Sequence, residues 1–151
     1  MTAYIFVVQK GQFKMKRRLQ DDYSFLSYYF LGAITLGIYN IWYLHNLTRD
    51  LNVICSDTGK KTSGVLKHIL LSIVTFGAYS VFWWYRIADM LDEQAKKRDL
   101  NVEINGKIVM LCMLLSYIGF GLPSIYVCYR TFEAMNEVAL DYNSKLIDKR
   151  D

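Results

Sequence analysis

Three apolar runs of about twenty residues alternate along the chain with polar, charged stretches, and each is broken near its middle by glycine. The first, Phe25 to Arg49, breaks at Gly37, and the second, His68 to Asp89, breaks at Gly77. The third, Ile108 to Glu133, breaks at Gly119, Gly121 and Pro123. Charge is nearly absent from the runs and crowded between them. Segments of roughly 18 or more apolar residues read as membrane-embedded helices. A soluble bundle with three buried helices is the alternative, but such helices rarely lack charge on every face.

The runs are copies of one unit with a period of about 40 to 44 residues, counted from Gly37, Gly77 and Gly121. Position five after the glycine is Trp42, Phe82 and Tyr126, and position six is Tyr43, Trp83 and Val127. Position nine is Asn46, Arg86 and Arg130. Positions ten and fourteen are Leu47 and Leu51, Ile87 and Leu91, then Thr131 and Met135. A repeat of this length also occurs in soluble solenoids. Here the apolar parts are too long and too free of charge, so a duplicated membrane unit is the better reading.

Residue type suggests the role of each position. Glycine permits a bend or a close approach, and Thr35 or Thr75, two residues earlier, can bond a freed carbonyl. Tyr39, Trp42, Tyr43, Tyr79, Trp83, Trp84 and Tyr126 are expected as an interfacial girdle, where an apolar ring and a polar edge are both satisfied. Arg49, Arg86, Asp89, Arg130 and Glu133 are expected as interfacial charges, with Arg86–Asp89 and Arg130–Glu133 as i,i+3 neighbours. After each run, apolar residues recur at helical spacing, as in Leu44, Leu47, Leu51 and Ile54. This predicts an amphipathic helix lying along the interface or packed on its siblings.

The predicted fold class is therefore all-α: a small polytopic membrane protein of three glycine-broken hydrophobic helices, each followed by an amphipathic interfacial helix. The expected organisation is a basic N-terminal segment (1–22), a membrane domain of three repeats (about 23–56, 65–99 and 107–143) and a polar tail (144–151). Residues 1–14 are expected to be disordered or a strand-like addition. Met15 is a natural alternative start.

Charge bears on topology. Twenty helical residues reach about 30 Å, enough for one crossing, and a single span per run is the expectation adopted. Three spans should leave a basic imbalance between alternate segments. The N-terminal segment, the two connections and the tail instead carry 5, 4, 5 and 4 Lys and Arg residues. Such evenness also fits runs that enter, turn at glycine and leave on the same side, in arms of about 15 Å.

Candidate chemistry is sparse. Asp57-Thr58-Gly59 matches the short aspartic-protease signature but lacks its flanking apolar strand, and Gly59-Lys60-Lys61-Thr62 lacks the spacing of a phosphate loop. His45 and His68 sit at the edges of runs without further ligands at metal-binding spacing. Cys55, Cys112 and Cys128 suggest neither a disulfide framework nor a metal set. The net charge of +4 is spread over all polar segments, without the interleaved aromatics of a nucleic-acid surface. No charged residue lies deep inside a run, where ion pathways usually carry one. No catalytic, metal-binding or cofactor-binding residue is expected.

The T-x-G-x-Y breaks, the Arg49-Asp50-Leu51-Asn52 ending and the Gly59 to Gly64 turn resemble the bacterial family called domain of unknown function 4234. The similarity covers roughly residues 16 to 143, and Pro123 departs from it where tyrosine is expected. The resemblance implies a small multi-pass protein of the bacterial cytoplasmic membrane, with no activity to carry over. The expected role is a non-catalytic scaffold, accessory or self-associating protein. Its partners would be the lipid bilayer and a second copy or other membrane proteins. A small oligomeric channel or transporter subunit is the alternative.

Overall fold

In a computed structural model the protein is described over residues 4–9, 12–119 and 121–147, with side chains from residue 18 onward. A two-stranded antiparallel hairpin, β1 (Tyr4–Gln9) and β2 (Gln12–Arg17), pairs Tyr4 with Arg17 and Phe6 with Met15. Each element described after it is a helix: α1 (Phe25–Ile34), α2 (Ile38–Ile54) with a short 3-10 turn at Cys55–Asp57, α3 (Val65–Val74), α4 (Ala78–Lys97), α5 (Gly106–Ser116) and α6 (Leu122–Ile147).

Each apolar run is two helices meeting head-on at its glycine, which corrects the expectation of a single helix through the bilayer. The reason lies in the turn. Gly37, Gly77 and Gly121 have φ of 89°, 89° and 84°, a left-handed conformation that glycine adopts without the usual steric cost. Their amides reach back five residues, to the carbonyls of Gly32 (2.8 Å), Ser72 (2.7 Å) and Ser116 (3.0 Å). This is the 6→1 bond of a Schellman ending. In the first two copies the expected threonine does double work. Thr35 and Thr75 each donate to the carbonyl four residues back at 2.7 Å and accept from the amide of Tyr39 or Tyr79 at 3.0 Å. One hydroxyl thus ends one helix and caps the next. Among the described residues no helix is long and apolar enough to cross a membrane.

Of the two placements expected for the amphipathic stretches, packing on their siblings is the one observed, and the interfacial one is corrected. The stretches are continuous with the return arms and lie at the centre of the molecule. Positions six, ten, thirteen, fourteen and seventeen are buried in all three copies: Tyr43, Leu47, Asp50, Leu51 and Ile54; Trp83, Ile87, Met90, Leu91 and Gln94; Val127, Thr131, Ala134, Met135 and Val138. The 4-3-4 spacing of positions six, ten, thirteen and seventeen keeps one seam of each helix facing the other two. Helices α2, α4 and α6 all contact one another through it. Each buried aliphatic or aromatic side chain there contributes about 1.5–3 kcal/mol.

The short helices surround this bundle in a repeating way. α3 touches α2 and α4, α5 touches α4 and α6, and α1 touches α2 and α6, so the third copy closes onto the first. Asparagines tie the connections down. Asn52 accepts from the Thr62 amide (2.8 Å) and donates to its carbonyl (3.3 Å). Asn136, at the same position of the third copy, holds Tyr23 through bonds of 2.6 and 2.9 Å. Asn143 holds Leu19 in the same manner, at 2.9 and 3.0 Å. Residues 19–23 therefore form a strap bound to α6, and α6 itself runs to Ile147, past the boundary at 143 read from the sequence.

Candidate membrane-facing end

All three hairpin turns lie at one end of the bundle. Tyr29 on α1 lies by Ser124 and Cys128, while Phe25, one turn nearer the start of α1, packs on Tyr129, farther along α6. The two helices thus run antiparallel, and the first turn sits beside the start of α6. The second turn abuts the third, because Gly77 lies against the Tyr117 hydroxyl.

The residues at this end are bulky, apolar and uncovered. Leu36 is 95% exposed and Phe76 96%, and both hold left-handed backbone, with φ of 51° and 49°. That conformation is rare for a side chain of their size. Leu26, Phe30, Ile34 and Ile38 in the first hairpin, Leu66, Leu70, Ile73 and Val74 in the second, and Leu111, Ile118 and Leu122 in the third are also exposed. Exposed apolar surface this extensive is typical of protein–protein and membrane interaction sites.

The expected aromatic girdle is split by the structure. Tyr43, Trp83 and Trp84 are buried: Trp83 donates to the Ser63 carbonyl (3.1 Å), and Tyr43 packs on Tyr23, Tyr28 and Phe132. They are corrected to core residues. Tyr39 and Tyr79 are half-buried, with the Tyr79 hydroxyl 2.9 Å from Ser63. The outward ring is position five, where Trp42, Phe82 and Tyr126 are 54%, 51% and 52% exposed. Phe82 is the member that reasoning from side-chain polarity missed, and its place in the repeat was the signal for it.

Charge begins one helical turn beyond this ring. Arg86 and Arg130 each follow their glycine by nine residues, about 13 Å along a helix. Arg130 donates to Glu133 at 2.6 Å, as expected. Arg86 and Asp89 are i,i+3 neighbours on α4, as expected, and Asp89 pairs with Lys60 (3.3 Å). Arg49 lies 3.5 Å from the buried Asp50, whose carboxylate also accepts from the Gln20 amide and the Tyr23 hydroxyl, both at 3.1 Å. Burial and then the Asp50 charge push the Tyr23 phenol up from its ordinary value.

Farther from the turns the surface is ionic. Lys60 bridges Asp89 and Glu93, and the Glu93 hydrogen bond (2.6 Å) does most to raise its pKa. Asp141 accepts from Arg98 (2.7 Å) and Lys145 (2.9 Å). Burial works to raise its pKa, but the two cations outweigh it and hold the carboxyl below the usual range. Asp57, the acid of the protease-like triplet, is likewise tied to Gln94 and Lys97. It is a structural ion pair. His68 stacks on Trp83 (4.1 Å), and the described residues contain no group of three His, Cys, Asp or Glu placed to hold a metal.

Of the glycine positions, Gly32 packs against Asn40 and Gly77 against Tyr117 of the same chain. Gly119 and Pro123 flank the third turn, with Pro123 in the first turn of α6, where a missing amide costs nothing.

No curated protein and no solved structure matches the chain. The model of the family described as Domain of unknown function (DUF4234) matches twice, over residues 23–93 and 63–137. The second match begins 40 residues after the first, so the family unit spans two neighbouring hairpins and slides by one repeat. With residues 23 to 137 covered, the chain belongs to the DUF4234 family.

Proposed function

We propose that the protein is a non-catalytic membrane scaffold seated in one leaflet, with its three hairpin tips in the hydrocarbon and both connections on the same aqueous side. The observation that carries this reading is the strained, almost fully exposed pair Leu36 and Phe76 at tips that share one end with the third. Depth agrees with it. The apolar layer between the turns and the first charges is about 13 Å, close to half of a hydrocarbon core about 30 Å thick. In the first two hairpins the amides of the turn, from Thr35 to Tyr39 and from Thr75 to Tyr79, all find acceptors within the hairpin, in keeping with what a water-free medium requires. Trp42, Phe82 and Tyr126 would sit at the headgroup level and Arg86, with Lys67 and Lys107, just above it. The bilayer implied by the family resemblance is the bacterial cytoplasmic membrane. A channel within one chain finds no support, because α2, α4 and α6 close on each other through fully buried side chains.

The test is single-cysteine labelling from one side of sealed vesicles, with the native cysteines replaced by alanine. Lys61→Cys and Asp99→Cys, in the two connections, are expected to react from the same side. Labelling from opposite sides would establish single spans and refute the reading.

A further inference from the structure

A groove crosses the boundary between the apolar end and the ionic end on the α5–α6 face. Its inner part is a cavity of about 300 Å³ lined by Ile108, Val109 and Tyr126, with Arg130 at its mouth. Its outer part, about 160 Å³, shares Arg130 and Glu103 and adds Glu133 and Glu137. Tyr126, Arg130, Glu133 and Glu137 are spaced four, three and four residues apart, so they share one face of α6. Moving away from the turns, the order is apolar slot, guanidinium, carboxylates.

From this order we propose that the groove binds a phospholipid with a primary-amine headgroup. An acyl chain lies along Ile108 and Tyr126, the phosphate on Arg130, and the ammonium among Glu103, Glu133 and Glu137. The proposal rests on the one-leaflet reading, which puts Tyr126 at headgroup depth.

Charge argues for this occupant over others. Three carboxylates face one guanidinium, so the outer groove is net acidic and suits a cationic group next to the phosphate. A quaternary ammonium would call for aromatic faces, and no aromatic side chain lines the outer part. A primary ammonium offers three donors to carboxylate acceptors.

Arg130 is placed to change partners. It donates to the Glu103 carbonyl (2.8 Å) and carboxylate (3.1 Å) through Nη2, and to Glu133 (2.6 Å) through Nη1. The Glu103 side chain is largely exposed, and an ion pair of that kind is cheap to break. An arriving phosphate replaces the Glu103 carboxylate on Arg130, and the freed carboxylate turns to the ammonium.

The experiment offers the full-length protein, in detergent micelles, equal amounts of phosphatidylethanolamine, phosphatidylcholine and phosphatidylglycerol, and reads the retained lipid by native mass spectrometry. Phosphatidylethanolamine should be retained over phosphatidylcholine by roughly tenfold, the size of one charge-assisted hydrogen bond. Glu103→Gln, Glu133→Gln and Glu137→Gln together should bring that ratio to about one and leave phosphatidylglycerol retention in place. Arg130→Gln should lower retention of all three lipids. Glu137→Gln alone, at an exposed side chain, should lower the ratio without disturbing the fold. Equal retention by the wild type, or a preference that survives the triple substitution, overturns the proposal. Retention of phosphatidylethanolamine by a chain that does not float with vesicles supports the site and overturns the one-leaflet reading.

Discussion

A Gly77→Ala substitution separates a hairpin from a continuous helix by the sign of its effect. In the interior of a helix, alanine is favoured over glycine by about 0.5–1 kcal/mol. At φ of 89° the added Cβ instead meets the left-handed penalty of about 1–2 kcal/mol. It also runs into the Tyr117 hydroxyl, and crowding of that kind costs about 1–3 kcal/mol where the neighbour cannot move. Tyr117 is exposed at one edge, so the lower part of that range applies. Gly37→Ala is the control: the backbone is the same, but a Cβ there has nothing within 4 Å. For a chain of this length each kcal/mol moves the thermal midpoint by about 2–4 °C. Gly37→Ala should lower it by about 2–8 °C and Gly77→Ala by more, with Tyr117→Phe recovering part of the excess. The assay is thermal unfolding in detergent, followed by circular dichroism. A raised midpoint in either alanine variant would refute the hairpin, and equal losses at the two glycines would refute the packing of Tyr117 on the second turn.

Three further outcomes are expected. Phe76→Ser removes a side chain worth about 1.5–3 kcal/mol in hydrocarbon, so partition into vesicles should weaken by roughly tenfold or more while the thermal midpoint stays put; unchanged partition would count against tip insertion. Asn143→Ala leaves the Leu19 amide and carbonyl without their partner, which should cost about 1–3 kcal/mol in urea unfolding and speed hydrogen exchange at Leu19. Asp141 has its pKa lowered in the fold, so its stabilising contribution is complete above the unfolded value of about 3.9 and is lost as pH falls through the lower folded one. Asp141→Asn should flatten that acid limb of the midpoint-against-pH curve, and an unaltered limb would show that the Arg98–Asp141–Lys145 cluster does not contribute to it.

Much of the local design was legible along the chain. The 40-residue period, the turn glycines, the back-bonding of Thr35 and Thr75 and the apolar seam from Leu44 to Ile54 all depend on interactions within a few residues. Backbone sterics and the 3.6-residue helical period act at that range, so residue type was enough to read them. The even distribution of Lys and Arg pointed the same way as the hairpins, although run length alone suited a full crossing equally well.

Tertiary structure decided the rest, because direction and burial depend on which neighbours cover a surface. Positions five and six are adjacent in sequence and aromatic in the first two copies, yet Trp42 faces outward and Tyr43 is in the core. Polarity could not tell them apart, since both rings are amphipathic and only the meeting of α2, α4 and α6 buries one. The strap at residues 19–23 is held by Asn136 and Asn143, more than a hundred positions away, and no local signal announces such a pairing. The groove around Arg130 likewise exists only because the loop before α5 folds across α6. The sequence by itself determined that this chain has three copies of one glycine-broken apolar run and where each one bends. Only packing could turn all three tips to one end, because that choice is made by the seam the return helices share.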